Sequence, residues 1–479
     1  MMIAVFLVYS VAVMLFGIIM SKGKDSTGAD FLLAGRSLPF VLLLGTMFAT
    51  IVGTGSSMGS AGLGYSKGFG GAIYLIAAAI GILATGLLYS NMRQYSLMTM
   101  PEEAAIYYGG NKFIRGLISI VMSLSEIGWL AVHIIGAATY IEWILGIPQI
   151  WSRILATAIF GVYVIVGGYL AVVWTDLIQG IILGSGFLVA AFMGVKMAGG
   201  WAGIAASVPK GYFSIAQMGA VSAAGLFVAQ LLGPMAMPVY RQRIYSAESE
   251  SAARKSFLVS ALICVVFAFL PVTLGMAAKT INPGLERADF AFPYMLTNVF
   301  SPFWGALFLC AGISATASSA DSDTAAAVSL LINDVYRLVF GKSPDSDSVV
   351  PLSRIATVIV LVFALVAGLA AKQVIDMIVM VASTVNVGLA TAMLMGRVWK
   401  RATWQGATAS IICGATASVW VMNNPALLSA WGGYGAIPAF IAALTGGVVV
   451  SLLTPQNTRT WEEVARELEE QRQSLEARG

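Results

Sequence analysis

A cluster of hydroxyl and carboxyl side chains interrupts an apolar stretch of the chain between positions 314 and 324. In a helix, Ala315, Ser318, Ser319 and Ser322 stand at i, i+3, i+4 and i+7 and therefore share one face. Sodium is a hard cation and prefers oxygen ligands, as calcium and magnesium do, so this face could hold it. The alternative is that each hydroxyl bonds back to a carbonyl one turn earlier and binds nothing. Because hydroxyls and carboxylates occur together here, we favour an ion site.

Four carboxyl groups lie in segments that are otherwise apolar, namely Glu126, Asp176, Asp321 and Asp323. A charged group within a membrane is costly, and by default it indicates a binding or transport role. The single histidine, His133, follows Glu126 by seven residues and shares its helix face. For this histidine, a hydrogen-bonded packing role and a functional role both stay open.

The composition is that of a membrane protein. The chain has 479 residues, of which 58% are hydrophobic and 10% are charged, whereas soluble proteins carry about 25% charged residues. Mean hydropathy is +0.85. The net charge of +4 is small and the basic residues are dispersed, which excludes a nucleic-acid binder. Cys264, Cys310 and Cys413 lack metal-binding spacing, and one histidine without an HExxH motif argues against an enzyme.

The hydropathy pattern predicts an all-α polytopic protein with 13 transmembrane helices, the first of which is retained rather than cleaved. Most of the 27 lysine and arginine residues, including Arg241 and Arg243, are assigned to loops on one side. By the positive-inside rule, the N-terminus is outside and the C-terminus lies in the cytoplasm of a bacterial-type inner membrane. The predicted spans are 2–20, 39–66, 70–91, 114–142, 151–171, 175–198, 216–243, 256–277, 302–336, 354–371, 376–395, 403–421 and 434–453.

Two of these spans contain a break in the helical pattern. The second span includes the Gly- and Ser-rich stretch Val52–Ser57, and the seventh includes Gly233–Pro238. Transporters with internal repeats place broken helices at corresponding positions of two halves and bind their substrates there. We therefore predict two five-helix units, spans 2–6 and 7–11, each opened by a broken helix. Each break alone would also suit a close helix–helix contact.

The chain is predicted to divide into a transmembrane domain at 1–457 and a charged tail at 458–479. Thr460 and Glu463 form a capping box, after which apolar residues recur at helical spacing. We expect a short amphipathic helix in the cytoplasm, with its charged face in solvent.

Five motifs along the chain carry a resemblance to a known family. They are Gly35-Arg36-Ser37-Leu38, Gly59 to Tyr65, Gly167-Gly168 through Gln179, Ala315 to Ser322, and Asn333-Asp334-Val335-Tyr336. Together they resemble the sodium:solute symporter family, whose members adopt the leucine-transporter-type inverted-repeat fold. The resemblance covers spans 1 to 11 well and the last two loosely. It implies that the two five-helix units are inverted repeats.

The resemblance also implies a sodium ion between the broken second span and the ninth span. By position, its ligands are the carbonyls of Ala49, Val52 and Ala315 and the hydroxyls of Ser318 and Ser319. Some family members hold a second sodium ion nearer the cytoplasm, and Asp176, Ser318 and Ser322 match its positions here. Asp321 stands where such members have a serine, and its added negative charge favours a second cation.

Within the family, the motifs at 318–322 and 240–243 look most like the high-affinity choline transporter branch. A quaternary ammonium is held by an aromatic cage, but Ile51 and Met237 stand where that branch has cage tryptophans. We therefore do not predict choline, although acidic and aromatic residues of the site favour a cationic or zwitterionic solute. The predicted solute site comprises Thr54, Ser56, Ser57, Glu126, Trp129, Met237, Tyr240 and Asn386.

Together these features predict a secondary transporter that couples import of a small polar organic solute to a sodium gradient. The solute and the lipid bilayer are its expected partners, with no obligate protein partner. Two alternatives stay open: a proton-coupled carrier that uses Asp176, Asp321 or Glu126, and a transporter-like membrane sensor. The tail is too short for a signalling domain, which disfavours the sensor.

Overall fold

The computed structural model describes residues 2–21, 32–166, 169–342, 344–371 and 373–476, so Gly167 and Gly168 of the family motif lie outside the described residues. These residues form helices and turns, with one isolated bridge between Leu38 and Ala247. Eight of the described helical segments are long and apolar enough to cross a membrane, or nine if one bent pair is a single span. The all-α membrane architecture is confirmed, whereas the total of 13 spans stays a prediction.

We number the helices in chain order. The first half of the chain holds α1 (Met2–Ser21), α2 (Phe40–Ile51), α3 (Ser60–Lys67), α4 (Ile73–Tyr89), α5 (Met100–Tyr107), α6 (Lys112–Leu145), α7 (Gln149–Val166), α8 (Tyr169–Met197) and α9 (Gly200–Ser207). The second half begins with α10 (Ala220–Ala236), α11 (Pro238–Ser246), α12 (Glu250–Phe267), α13 (Phe269–Ile281), α14 (Ala291–Tyr294), α15 (Pro302–Leu330), α16 (Tyr336–Phe340) and α17 (Ser346–Gly368). It ends with α18 (Val374–Val381), α19 (Val387–Val398), α20 (Trp404–Met422), α21 (Pro425–Ala430), α22 (Ala436–Leu453) and α23 (Trp461–Glu476).

The second predicted span is interrupted in its middle. Helix α2 ends at Ile51, and the next residue, Val52, has non-helical angles of φ −87° and ψ 57°. The chain resumes as a π-helical turn over Gly55–Gly59 and continues into α3. Gly53 lies in the gap, where an added Cβ would stand 2.3 Å from the hydroxyl oxygen of Ser319. The close approach of α15 therefore requires glycine at this position.

The seventh predicted span bends at a single residue. Helix α10 ends at Ala236, α11 starts at Pro238, and the two helices are bent by 41°. Met237 between them is extended, with φ −86° and ψ 121°, because helical angles are disfavoured for a residue that precedes proline. Pro238 is tolerated as the first helical residue, since an amide there has no partner within the helix. Pro234, also part of the predicted break, lies inside α10.

Helix α15 is the unbroken helix against which the first break packs. It runs for 29 residues and contacts α1, α2, α6, α8 and α17. Because it is surrounded by other helices, its polar residues face protein rather than lipid. Ser318, Ser319, Asp321, Ser322 and Asp323 are each at most 2% exposed.

The outer surface of the helical body is apolar. Phe192, Val266 and Leu453, on three different helices, expose 72%, 71% and 80% of their surface. Large apolar side chains at such exposure suit a hydrocarbon environment rather than water. The interior holds one continuous cluster of buried apolar side chains that links most of the described helices.

The tail forms the amphipathic helix α23, and its apolar face packs against the helical body. The capping box is present, since the Thr460 amide donates to Glu463 Oε2 at 2.9 Å and the Glu463 amide donates to Thr460 Oγ1 at 3.3 Å. The Trp461 ring lies 5.2 Å from the Tyr107 ring, and the guanidinium of Arg397 lies 5.2 Å from the Trp461 centroid. These contacts join the tail to α5 and α19.

Candidate functional site

Two adjacent serines of α15 bond to two adjacent carbonyls at the end of α2. Ser318 Oγ donates to the carbonyl oxygen of Ala49 at 2.9 Å, and Ser319 Oγ donates to that of Thr50 at 3.0 Å. The last carbonyls of a helix have no intrahelical partner, so they must find donors elsewhere. The next carbonyl, of Ile51, accepts from Ser56 Oγ at 2.6 Å. The break thus exposes a row of carbonyls that only side-chain hydroxyls satisfy.

Each of the two serines also has an acceptor on its own helix. Ser318 Oγ lies 2.7 Å from the carbonyl oxygen of Ser314, and Ser319 Oγ lies 3.3 Å from that of Ala315. A hydroxyl can therefore turn its hydrogen to the preceding turn and present a lone pair to a cation. The arrangement fits an oxygen-ligated ion without leaving a buried hydroxyl unpaired.

The structure brings together four of the five predicted sodium ligands, Ala49, Ala315, Ser318 and Ser319. The fifth, Val52, is buried at the break, where its amide donates to the Phe48 carbonyl. The Thr50 carbonyl belongs to the cluster although it was not predicted. The adjacent serines could have indicated it. If Ser318 contacts the Ala49 carbonyl, the next serine, Ser319, is expected to contact the next carbonyl, that of Thr50.

Asp176 lies in a second buried cluster one turn away along α2. Its Oδ2 accepts from Thr46 Oγ1 at 2.6 Å and from Ser322 Oγ at 3.3 Å. The guanidinium of Arg243, from α11, places Nη2 3.5 Å from the same carboxylate oxygen. Asp176 and Ser322 are therefore together as predicted, and Asp321, the residue before Ser322 on α15, is 0% exposed.

The positive-inside count treats Arg241 and Arg243 as loop residues, and for these two it is wrong. Both side chains are 0% exposed. Arg241 pairs with Glu103 of α5 at 3.2 Å, and its guanidinium carbon lies 3.4 Å from the centroid of the Tyr89 ring. A sequence window cannot tell a buried arginine at a helix end from one in a loop, because both lie at the edge of an apolar run.

His133 joins the first break to α15. Its Nδ1 lies 2.8 Å from Thr54 Oγ1, and its Nε2 lies 3.1 Å from Asp323 Oδ2. Thr54 Oγ1 in turn donates to Thr316 Oγ1 at 3.2 Å. The histidine therefore links three elements, α6, the break and α15, in one polar chain.

A small cavity of about 40 Å³ lies beside both breaks. One water needs roughly 10–15 Å³ measured in this way, so the cavity has room for about three waters and is smaller than an organic solute. A solute can enter only if the surrounding helices move apart. The cavity is lined by Thr50, Ile51, Gly53, Gly55, Ser56, Tyr74, Ala78, Trp129, His133, Gln230, Gly233, Pro234, Met237, Tyr240, Ser319 and Asp323.

The predicted solute residues divide into two groups. Ser56, Trp129, Met237 and Tyr240 line the cavity. The other four are not among its lining residues. Thr54 contacts His133, Ser57 donates to the Gly53 carbonyl at 2.7 Å, and Asn386 Oδ1 accepts from Ser125 Oγ at 2.6 Å. Glu126 is completely buried, and its carboxylate oxygens have no hydrogen-bond partner among the described residues.

The model of the sodium:solute symporter family matches residues 31–414. The chain is 28% identical to the sodium/glucose cotransporter of Vibrio parahaemolyticus, covering 88% of this chain and 85% of that protein. It is 28% identical to the high-affinity proline transporter PutP of Bacillus subtilis, covering 90% and 94%. It is 26% identical to the high-affinity choline transporter 1 of Caenorhabditis elegans, covering 72% and 63%.

Solved structures share the fold. A Na⁺-coupled sialic acid symporter in a substrate-bound outward-open state aligns with a TM-score of 0.81 at 18% identity, covering 96% of this chain and 98% of that one. Mhp1, a nucleobase-cation-symport-1 family transporter, aligns with a TM-score of 0.60 at 14% identity, covering 93% and 99%. Both are leucine-transporter-type carriers, which confirms the fold implied by the resemblance. Since the family match spans most of the chain and these relatives are secondary transporters rather than enzymes, this chain belongs to the sodium:solute symporter family.

Proposed function

We propose that this protein is a sodium-coupled symporter that imports a small polar organic solute by alternating access. The observation that carries the proposal is the pairing of two adjacent hydroxyls of α15 with two adjacent carbonyls at the end of α2. The proposed ligands are the hydroxyls of Ser318 and Ser319 and the carbonyls of Ala49, Thr50, Val52 and Ala315. All are neutral oxygens, which suits reversible binding and release into a cytoplasm low in sodium.

The proposed architecture has 13 transmembrane helices, with spans 2–6 and 7–11 as inverted repeats. The proposed orientation places the N-terminus outside and the C-terminal tail, 458–479, in the cytoplasm of a bacterial-type inner membrane. The two interrupted segments, one in each proposed repeat, support this layout. Inverted repeats with broken helices place ion and solute sites beside the breaks, where one repeat can rock against the other.

The coupling follows from the position of the hydroxyls. A sodium ion among them would tie the end of α2 to α15 and favour the conformation in which the neighbouring cavity is open to solute. Ser319 belongs to both the hydroxyl–carbonyl cluster and the cavity lining. Bound solute and bound ion would therefore stabilise each other, and only the doubly occupied carrier would favour the inward-open state.

For the solute we propose a cation or a zwitterion. The cavity presents the carboxylate of Asp323 together with the rings of Trp129 and Tyr240, and aromatic faces attract cationic groups. Ile51 and Met237 both line this cavity, and their aliphatic side chains do not build an aromatic cage for a quaternary ammonium.

The test is solute uptake into proteoliposomes with and without an inward sodium gradient. The solute is first found by thermal-shift screening of amines, amino acids, sugars and vitamins in sodium buffer and in potassium buffer, because a ligand that binds only with sodium stabilises only in sodium. Ser318→Ala and Ser319→Ala should each raise the sodium concentration for half-maximal uptake by about tenfold, equivalent to the loss of about 1.4 kcal/mol.

Ser256→Ala is the matched control. Its hydroxyl is equally buried, but it donates to the Ala253 carbonyl of its own helix at 2.7 Å. Its sodium dependence should match that of the wild type. Uptake that ignores the sodium gradient, or serine variants that keep wild-type sodium dependence, would contradict the proposed site.

A proton-coupled carrier of the same fold is the second candidate. One observation favours it: the Glu126 carboxylate is completely buried and has no hydrogen-bond partner among the described residues. A buried carboxyl of this kind is a common proton carrier in membrane transporters. Uptake driven by a proton gradient in sodium-free buffer, and lost in Glu126→Gln, would decide for this candidate.

A further inference from the structure

The guanidinium of Arg243 lies where the family resemblance implies a second sodium ion. The side chain is 0% exposed. Its Nη2 lies 2.7 Å from Thr46 Oγ1, 2.5 Å from Thr50 Oγ1 and 2.8 Å from Ser322 Oγ, and its two hydrogens can be donated to two of these oxygens at a time. It also stands 3.5 Å from Asp176 Oδ2. Three hydroxyls and one carboxylate around a single cationic nitrogen resemble the oxygen shell of a bound cation.

The charge of this cluster is already balanced. Asp176 contributes one negative charge and Arg243 one positive charge, and an arginine keeps its charge inside a protein. A sodium ion added beside Asp176 would place two cations against one carboxylate in a buried site. Burial of an uncompensated charge is strongly unfavourable, so the residues present do not fit a second sodium ion.

The hydroxyls of the cluster are also committed. Thr46 and Ser322 accept from the guanidinium and donate onward to Asp176 Oδ2, at 2.6 Å and 3.3 Å. In this arrangement their hydrogens point at the carboxylate, and one lone pair of each oxygen points at the arginine. A sodium ion would have to share these oxygens with the guanidinium.

Arg243 is held by its own helix as well. Its Nη1 donates to the Val239 carbonyl of α11 at 2.8 Å. The cation therefore connects α2, α8, α11 and α15, and because it is part of the chain it cannot leave during transport. A sodium ion in the same position would be released in each cycle.

We infer that Arg243 is a built-in cation that takes the place of a second sodium ion, so that the carrier moves one sodium ion with each solute. This inference rests on the proposed function, since the remaining ion is the one held by Ser318 and Ser319. Removal of the guanidinium should open the Asp176 position to sodium from solution.

The experiment is equilibrium binding of radioactive sodium to the purified full chain in detergent. The wild type should bind one ion per chain with a Hill coefficient of about one. Arg243→Gln should bind two ions per chain, and the charge-matched double variant Asp176→Asn with Arg243→Gln should return to one. Ser318→Ala with Ser319→Ala should remove the single ion of the wild type.

The outcomes separate the two proposals. If the wild type binds no sodium, the proposed function is contradicted. If the wild type binds two sodium ions and Asp176→Asn loses one of them, the proposed role of Arg243 is overturned. A folded Arg243→Gln chain that still binds only one ion would overturn it as well. If Arg243→Gln fails to fold, Arg243→Lys keeps the positive charge and should retain one bound sodium ion. Two sodium ions bound per wild-type chain would still overturn the proposed role of Arg243.

Discussion

The two helix breaks satisfy their freed carbonyls in different ways. At the first break, the carbonyls of Ala49 and Thr50 accept from the neutral hydroxyls of Ser318 and Ser319. At the second break, the Met235 carbonyl accepts from Arg241 Nη2 at 3.3 Å. The Val239 carbonyl, which lies inside α11, also accepts from Arg243 Nη1.

This difference decides at which break the hydrogen-bond donors of the carbonyls can be exchanged for a soluble ion. A hydroxyl that turns away from one acceptor to another loses little, because neutral hydrogen bonds contribute only about 0.5–1.5 kcal/mol each. A guanidinium that leaves its partners stays buried with its charge uncompensated, which is far more costly. The first break is therefore suited to a soluble ion that comes and goes, whereas the second is held by cations of the chain itself.

The largest expected effect is the loss of a guanidinium from the second break. Arg241→Ala removes the ion-pair partner of Glu103, and both side chains of this pair are 0% exposed. Glu103 Oε2 also accepts from the Tyr245 hydroxyl at 2.6 Å. Breaking one side of a buried pair costs about 3–5 kcal/mol. The melting temperature of the purified protein should fall sharply.

The control for Arg241→Ala is the exposed pair of the tail. Arg459 and Glu467 expose 41% and 44% of their side chains, and an exposed pair contributes at most about 1 kcal/mol. Arg459→Ala should leave the melting temperature nearly unchanged. Equal melting temperatures for the two variants would show that the second break is not held by its buried cations.

The next effect is expected at the first break. In Gly53→Ala the new Cβ would lie 2.3 Å from Ser319 Oγ and 3.1 Å from His133 Cε1. Overpacking of this kind costs about 1–3 kcal/mol, and it pushes Ser319 away from the Thr50 carbonyl. Sodium-dependent uptake in proteoliposomes should fall by about tenfold or more at fixed sodium, since 1.4 kcal/mol corresponds to a factor of ten.

The smallest effect is expected for the corresponding glycine of the second break. An added Cβ at Gly233 meets no atom within 4 Å, and the residue lies inside α10. Gly233→Ala should therefore raise stability by up to about 1 kcal/mol, because alanine favours a helix and restricts the unfolded chain. The melting temperature is the readout, because Gly233 lines the proposed solute cavity and a methyl there would also affect uptake. A fall in melting temperature as large as in Gly53→Ala would mean that the two breaks respond alike and the comparison fails.

Several features of this protein are determined by the sequence itself. The apolar composition excludes a soluble fold, and the glycines and prolines mark both interruptions. The spacing of Ala315, Ser318, Ser319 and Ser322 places these four residues on one helix face. These are local properties, because periodicity and proline or glycine geometry depend on neighbours within a few residues. They predict an ion site on α15, whereas its partners Ala49 and Val52 were implied by the family resemblance.

Only the tertiary structure decided which groups meet. Ser319 reaches Thr50 across 269 residues of chain, and Arg243 reaches Asp176 across 67. No local pattern encodes such pairs, because partner choice depends on how helices pack and on the cost of burying each charge. The sequence therefore predicts an ion site beside a broken helix, and the fold supplies the arginine that we propose as the second cation.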